Sequence, residues 1–193
     1  MENSPIIEIN DFISTSTCEM ILHLCDNSDV SEEKIPMHFV GSKISFATNA
    51  TQNAFKKLYK QTRLKFSDTN IHSVIENAIS HHNSQQMTIL LNNTFTYVKY
   101  DDGGWMPKHN DSYKDNSATH TIIIYLNDDY TNGEIFIKEN DVETKIVPKI
   151  GKAIIFKSDE IPNGCHVVTG TKKILVGTIA VINAVTTSTS PAV

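Results

Sequence analysis

One short run of this sequence carries residues that could hold a metal. Tyr97 to Asp111 reads YVKYDDGGWMPKHND, with His109 and Asp111 two residues apart. The β-branched and aromatic residues of Thr94 to Tyr100 predict a strand. Asp101-Asp102-Gly103-Gly104 then breaks it as a turn or loop. Extended chain resuming at Pro107 would put His109 and Asp111 on one face. An imidazole and a carboxylate on one face leave the far side of a metal open. A 2-His-1-carboxylate site for non-haem Fe(II) needs that arrangement, with its third ligand from a distant strand. The chain has eight histidines, so the spacing decides little without its surroundings.

Those surroundings divide into two halves. Pro5 to Asn10 predicts a short strand, followed by a helix capped by one of Ser14 to Thr17 and striped by Cys18, Ile21, Leu22 and Cys25. Met37 to Val40 and Lys43 to Ala47 read as short strands. Asn49 to Lys65 and Ile71 to His82 show helical spacing, the second with His81 and His82 at its negative dipole end. From Gln86 the period changes to that of strands: Met87 to Leu91, Thr94 to Tyr100, Thr119 to Asn127, Gly133 to Lys138, Val142 to Val147, Lys152 to Phe156, His166 to Val168 and Lys172 to Ile182. Asn-Gly and similar turn signals separate them. The expected fold is α+β but mainly β, a double-sheet jelly roll with N-terminal helices packed outside it. Residues 1–193 read as one domain: 1–85 mostly helical support, 86–183 the jelly-roll core and 184–193 a polar tail.

Composition narrows the function. The chain has 193 residues, is 39% apolar and carries a formal charge of −5, as an ordinary globule does. It has no lysine or arginine block, which argues against a nucleic-acid partner. Arg63 is the only arginine and falls in the half read as helical. Cys18 and Cys25, seven apart on a helix, would sit about 10 Å apart, too far for a disulfide. Cys165 reads as small core filler, with a redox or metal role as the alternative. The three cysteines suggest a reducing compartment. No basic-then-apolar leader and no membrane-length apolar run are visible, so a cytoplasmic location is expected.

Several segments together resemble the 2-oxoglutarate- and Fe(II)-dependent dioxygenases, in particular their prolyl 4-hydroxylase-like branch. Tyr100, Gly103, His109 and Asp111 meet the family's Y-x-x-G and H-x-D without a gap. THTIIIYLNDDYTNGEIFI, VPKIGKAIIF and VVTGTKKILVGTIAV follow in the family's order, and IIEINDFISTSTCEMI is similar to its entry segment. The resemblance implies a double-stranded β-helix, Fe(II), 2-oxoglutarate and O2, with ascorbate as a further candidate. It implies hydroxylation of a C–H bond, with a prolyl residue in a peptide or protein as first candidate and a free amino acid or small molecule as alternative.

His109 and Asp111 would be two iron ligands. Lys172 would anchor the far carboxylate of 2-oxoglutarate, with Lys173 as its competitor, since neighbours in a strand face opposite ways. Tyr125 and Tyr100 would line the same pocket. Asn132 stands where the family has a glycine, a substitution that a left-handed backbone tolerates. The third ligand departs from the pattern. Nine or ten residues before the anchor stand Pro162 and Asn163, while the only later histidine is His166. Either compensating loop lengths bring in His166, or Asn163 holds the position and His166 faces away. The retained H-x-D pair, lysine and Y-L-N motif favour His166. A catalytically silent binding module remains the alternative. Asp101 to Trp105, Ser112 to Ala118 and Asp128 to Thr131 read as mouth loops, with Trp105 and Tyr113 as contact candidates.

Overall fold

A computed structural model describes residues 6–27, 53, 56–66, 68–82, 87–91, 95–111, 120–139, 142–158 and 160–183. The expected strands at 37–40 and 43–47, the loop at 112–118 with Tyr113, and the tail lie outside the described residues. In chain order the elements are β1 (Ile6–Ile9), α1 (Thr15–Asn27), β2 (Gln61–Phe66), α2 (Thr69–His82), β3 (Met87–Leu91), β4 (Phe95–Tyr100), β5 (Met106–His109), β6 (His120–Tyr125), β7 (Thr131–Asn132), β8 (Ile135–Glu139), β9 (Val142–Ile146), β10 (Ala153–Lys157), β11 (Asn163–Cys165), β12 (Val168–Thr169) and β13 (Lys172–Asn183).

The strands form a seven-stranded sheet ordered β1-β10-β6-β13-β4-β2, with β3 also on β13, and a four-stranded sheet ordered β5-β11-β8-β9. A short β12-β7 pair stands apart from both. This is the double-stranded β-helix with helices on one outer face. The sequence of β6 shows why the large sheet sits at the centre. Its run of isoleucines is buried on both sides: Ile122 and Ile124 belong to the core shared with the helices, Ile123 and Tyr125 to the core between the sheets.

The helices are set by their caps. The Ser14 hydroxyl accepts from Thr17 N at 3.1 Å, and the Asp68 carboxylate accepts from Asn70 N and Ile71 N. Cys18, Ile21 and Cys25 from α1 and Ile71, Ile75 and Ile79 from α2 then cover the outer face of the large sheet. Burial pushes the Cys18 thiol up to about 11 and the Cys25 thiol up to about 12, so both are inert core residues at neutral pH.

The first 85 residues do more than support the barrel. β1 pairs with β10, and β2 pairs along its whole length with β4. The helix expected over Asn49 to Lys65 is corrected by this structure. Residues 56–59 are helical, Lys60 takes a left-handed φ of 47°, and the chain leaves as β2. Helical spacing of Phe55, Leu58 and Tyr59 ran on into an alternating segment, and the break fell on a lysine, which gives no turn signal. Among the described residues, no helix is long and apolar enough to cross a membrane.

Candidate active site

His109 closes β5, and Asp111 follows just beyond it. Their placement depends on a bulge. Asn163 of β11 pairs with His109 while Cys165 pairs with Met106, so three residue steps on β5 span two on β11. Simple alternation would put Met106 and His109 on opposite faces. The extra residue resets the parity and aims both inward.

His109 Nδ1 lies 2.9 Å from the Pro107 carbonyl, which can only accept, so Nδ1 carries the proton. Nε2 is thereby turned toward Asp111 Oδ1, 3.0 Å away. Two ligands at right angles and about 2.1 Å from one ion stand about 3 Å apart, so this pair fits a divalent metal. The other oxygen, Asp111 Oδ2, accepts from Thr121 Oγ1 at 2.9 Å and from Asn163 Nδ2 at 3.2 Å. Burial works to raise the Asp111 carboxyl. The hydrogen bond and charge of His109, the Thr121 hydroxyl and the charge of Arg63 hold it below the usual carboxylate range.

The structure does not bring His166 to this pair, which corrects its expected place as third ligand. His166 lies three residues past Asn163, at opposite parity, on the outer face of the small sheet. Its Nε2 is 3.2 Å from Glu143 Oε1, and its ring packs on Phe136 at 4.9 Å. Asn163, 5% exposed, occupies the position beside His109 and Asp111. Among the described residues, no cluster of three His, Cys, Asp or Glu gathers anywhere. The Asn163 carboxamide supplies an oxygen donor to a metal only if it turns. Its last torsion is broad and roughly two-fold, so the exchange of Oδ1 and Nδ2 costs little beyond the lost bond to Asp111. A ferrous ion accepts oxygen donors, but a neutral amide is a poorer ligand than imidazole.

The other end of the site is built around Lys172, fully buried at the start of β13. It projects between the rings of Tyr100 and Tyr125, 5.4 and 5.5 Å from their centroids. Among the described residues its nitrogen meets a carbonyl and a thiol but no carboxylate: Gly133 O at 2.7 Å and Cys165 Sγ at 3.2 Å. Positive φ at Asn132 (57°) and Gly133 (69°) shapes the turn that presents that carbonyl. Burial lowers the pKa of Lys172, because a charge out of water with no full counter-charge is costly. Burial likewise raises the phenols of Tyr100, Tyr125 and Tyr130.

The Tyr125 and Tyr130 hydroxyls are buried with no hydrogen-bond partner among the described residues. A lone buried amine and two unanswered phenols suit a carboxylate, which accepts from all three. Lys173 faces the opposite way and bonds Asp26 of α1 at 2.8 Å. Tyr130 escaped the sequence reading, because the motif that marks Tyr125 ends before it. Thr121 and its neighbour Ser158, 3.1 Å away, also carried no motif.

No curated protein sequence matches the chain. Residues 95–179 match the family described as the 2OG-Fe(II) oxygenase superfamily. Among solved structures, a prolyl-4-hydroxylase of Pseudomonas putida is similar at 14% identity, over 91% of this chain and 92% of that one, with TM-score 0.61. A Trichoplax adhaerens prolyl hydroxylase, in complex with a hypoxia inducible factor peptide fragment, is similar at 14% identity, over 91% and 83%, with TM-score 0.66. The viral collagen prolyl hydroxylase of Paramecium Bursaria Chlorella virus-1, in complex with 2OG, is similar at 15% identity, over 92% and 97%, with TM-score 0.59. At such identities the likeness is one of fold. The matched segment runs through β4, the H-x-D pair and most of β13, so the strand half of this chain is similar to the 2OG-Fe(II) oxygenase superfamily.

Proposed function

We propose that this protein is an Fe(II)- and 2-oxoglutarate-dependent dioxygenase that hydroxylates a C–H bond, with a prolyl residue in a peptide or protein as the first candidate substrate. The observation that carries the reading is the Lys172 amine, buried in a double-stranded β-helix beside two phenols that have no partner among the described residues. A pocket serving only core packing would gain by replacing that lysine with a hydrocarbon.

When bound, the ferrous ion and 2-oxoglutarate supply the oxidising power: one oxygen atom of O2 enters the substrate and the other enters succinate as CO2 leaves. The protein's part is placement. His109 Nε2 and Asp111 Oδ1 would hold the metal, and the Asn163 carboxamide, once turned, would offer its oxygen as a third donor. Thr121 keeps the carboxylate of Asp111 turned toward the ion. Lys172, Tyr125 and Tyr130 would receive the far carboxylate of 2-oxoglutarate, with Tyr100 lining the same pocket. Closely packed apolar walls, among them Ile123, Ile135, Ile154 and Ile174, keep water from the oxidising centre. Prolyl substrates are supported by the neighbouring folds, one of which holds a peptide.

A second reading is a silent 2-oxoglutarate-binding module, favoured by the missing imidazole at position 163. Succinate release over a panel of prolyl peptides, with and without Fe(II), separates the two. Iron-dependent, peptide-stimulated succinate supports the oxygenase. Calorimetric binding of 2-oxoglutarate without any succinate leaves the silent module.

A further inference from the structure

β2 brings two polar side chains to the barrel that the reaction above does not use. Partners across an antiparallel pair share a face. Gln61 is opposite Tyr100 and Arg63 is opposite Val98, and both partners belong to the core between the sheets. Leu64, of the other parity, packs instead with the helix-side core. Gln61 and Arg63 therefore face the site.

Gln61 is 4% exposed, and its Nε2 donates to Met106 Sδ at 3.3 Å. Its Oε1 is buried with no partner among the described residues. Burial of an unanswered carbonyl is unfavourable, so this atom marks a place where a donor from outside belongs. Arg63 lies two residues further along the same face, level with Ile174, one step from the Gln61–Tyr100–Lys172 row toward the strand positions that hold Thr121. Its charge is felt at both Asp111 and Tyr100. Its fork of donors matches a carboxylate. A phosphate would match it too, but would bring further oxygens toward Gln61 Oε1, which is itself an acceptor. An amino-acid unit with a free carboxylate and an adjacent N–H satisfies both residues.

We propose that Arg63 and Gln61 form the substrate clamp, Arg63 taking a free α-carboxylate and Gln61 Oε1 accepting the N–H of the same amino-acid unit. Such a unit is either a free amino acid or the C-terminal residue of a peptide. The clamp's place in catalysis rests on the oxygenase reading, but binding at the clamp does not.

The test is a calorimetric titration of the full chain, loaded anaerobically with Fe(II) and 2-oxoglutarate, with four probes: L-proline, L-prolinamide, prolylglycine and prolylglycinamide. At least one acid is expected to bind about tenfold or more tighter than its amide, and the pair that shows it tells free amino acid from C-terminal residue. Arg63→Gln is expected to bring acid and amide within about twofold while 2-oxoglutarate affinity stays within about twofold. Arg63→Lys, which keeps charge and strand but loses the fork, is expected to restore part of the preference, and Gln61→Leu to weaken the acid by a few-fold.

Equal binding of acid and amide, or no binding of any probe, overturns the clamp. So does a preference that survives Arg63→Gln, and so does loss of 2-oxoglutarate binding in that variant, which would move Arg63 to the cosubstrate pocket. An acid preference without hydroxylated product leaves the clamp standing and removes only the oxygenase reading.

Discussion

The two ends of this barrel have been kept to different standards. The Lys172 end holds a buried amine, two phenols with no partner among the described residues and a ring on either side, a set that suits a carboxylate. At the other end, His109 and Asp111, the proposed ligands, stand about as far apart as neighbours on one ion do, but the residue beside them is Asn163. A pocket with a buried lysine is expensive to keep for stability alone, which favours the proposed cosubstrate role. The proposed metal centre, by contrast, has a neutral amide where an imidazole would be the stronger donor. The difference separates affinity for 2-oxoglutarate, which should be ordinary, from affinity for iron, which should be weak.

The largest expected effect breaks the Lys172 end. Lys172→Met should weaken 2-oxoglutarate by about 100-fold, the equivalent of ~3 kcal/mol of buried charge pairing, with iron affinity within about twofold. Calorimetry with each ligand checks both halves, and equal losses would contradict separate ends. At the other end, Asn163→His should tighten iron by about tenfold or more, while His166→Ala should leave it unchanged. Competition with a coloured chelator measures both, and a weakened His166→Ala protein would return that residue to the site.

Smaller effects sharpen the contrast. Tyr125→Phe and Tyr130→Phe should each weaken 2-oxoglutarate by about two- to tenfold. Neither should lower thermal stability, because each hydroxyl is without a partner among the described residues. A drop in melting temperature would show that the phenols have structural work. Burial lowers the pKa of Lys172 in the free protein, and binding of the dianion should raise it, taking up a proton at any pH between the two values. Affinity should then fall as pH rises above the free-state pKa and toward the bound-state pKa. Calorimetry in buffers of different ionisation enthalpy reads that proton directly.

The smallest effect lies outside the site. Burial tends to raise the Asp26 carboxyl, but Lys173 and Tyr97 hold it low overall. Its contribution is present above an ordinary carboxylate pKa of about 4 and is lost as pH falls through the lower folded value. Asp26→Asn should therefore narrow the acid-induced loss of stability below about pH 4, measured by thermal melts.

Much of this arrangement was legible in the sequence, and the reasons differ by residue. Strand alternation said that only one of Lys172 and Lys173 faces inward, the family resemblance picked Lys172, and the run from Thr119 to Asn127 announced a strand. The H-x-D pair was legible as chemistry, although its aim depends on a bulge that no spacing rule reveals. Asn163 was an open alternative because loop lengths before β11 could shift the count. Parity decided it, since His166 is three residues on and must face out. Arg63 was misplaced with the helical half because the reversal at Lys60 lies in backbone conformation, not residue type. Tyr130 and Gln61 stand out only through what they fail to bond, which is a property of coordinates alone.

The most direct test is the visible absorption of the anaerobic protein with Fe(II) and 2-oxoglutarate. The account requires the weak charge-transfer band of a metal-bound keto acid in the natural protein, unchanged in His166→Ala and abolished in His109→Ala. No band from protein carrying both ligands, or a band that disappears with His166, would contradict it.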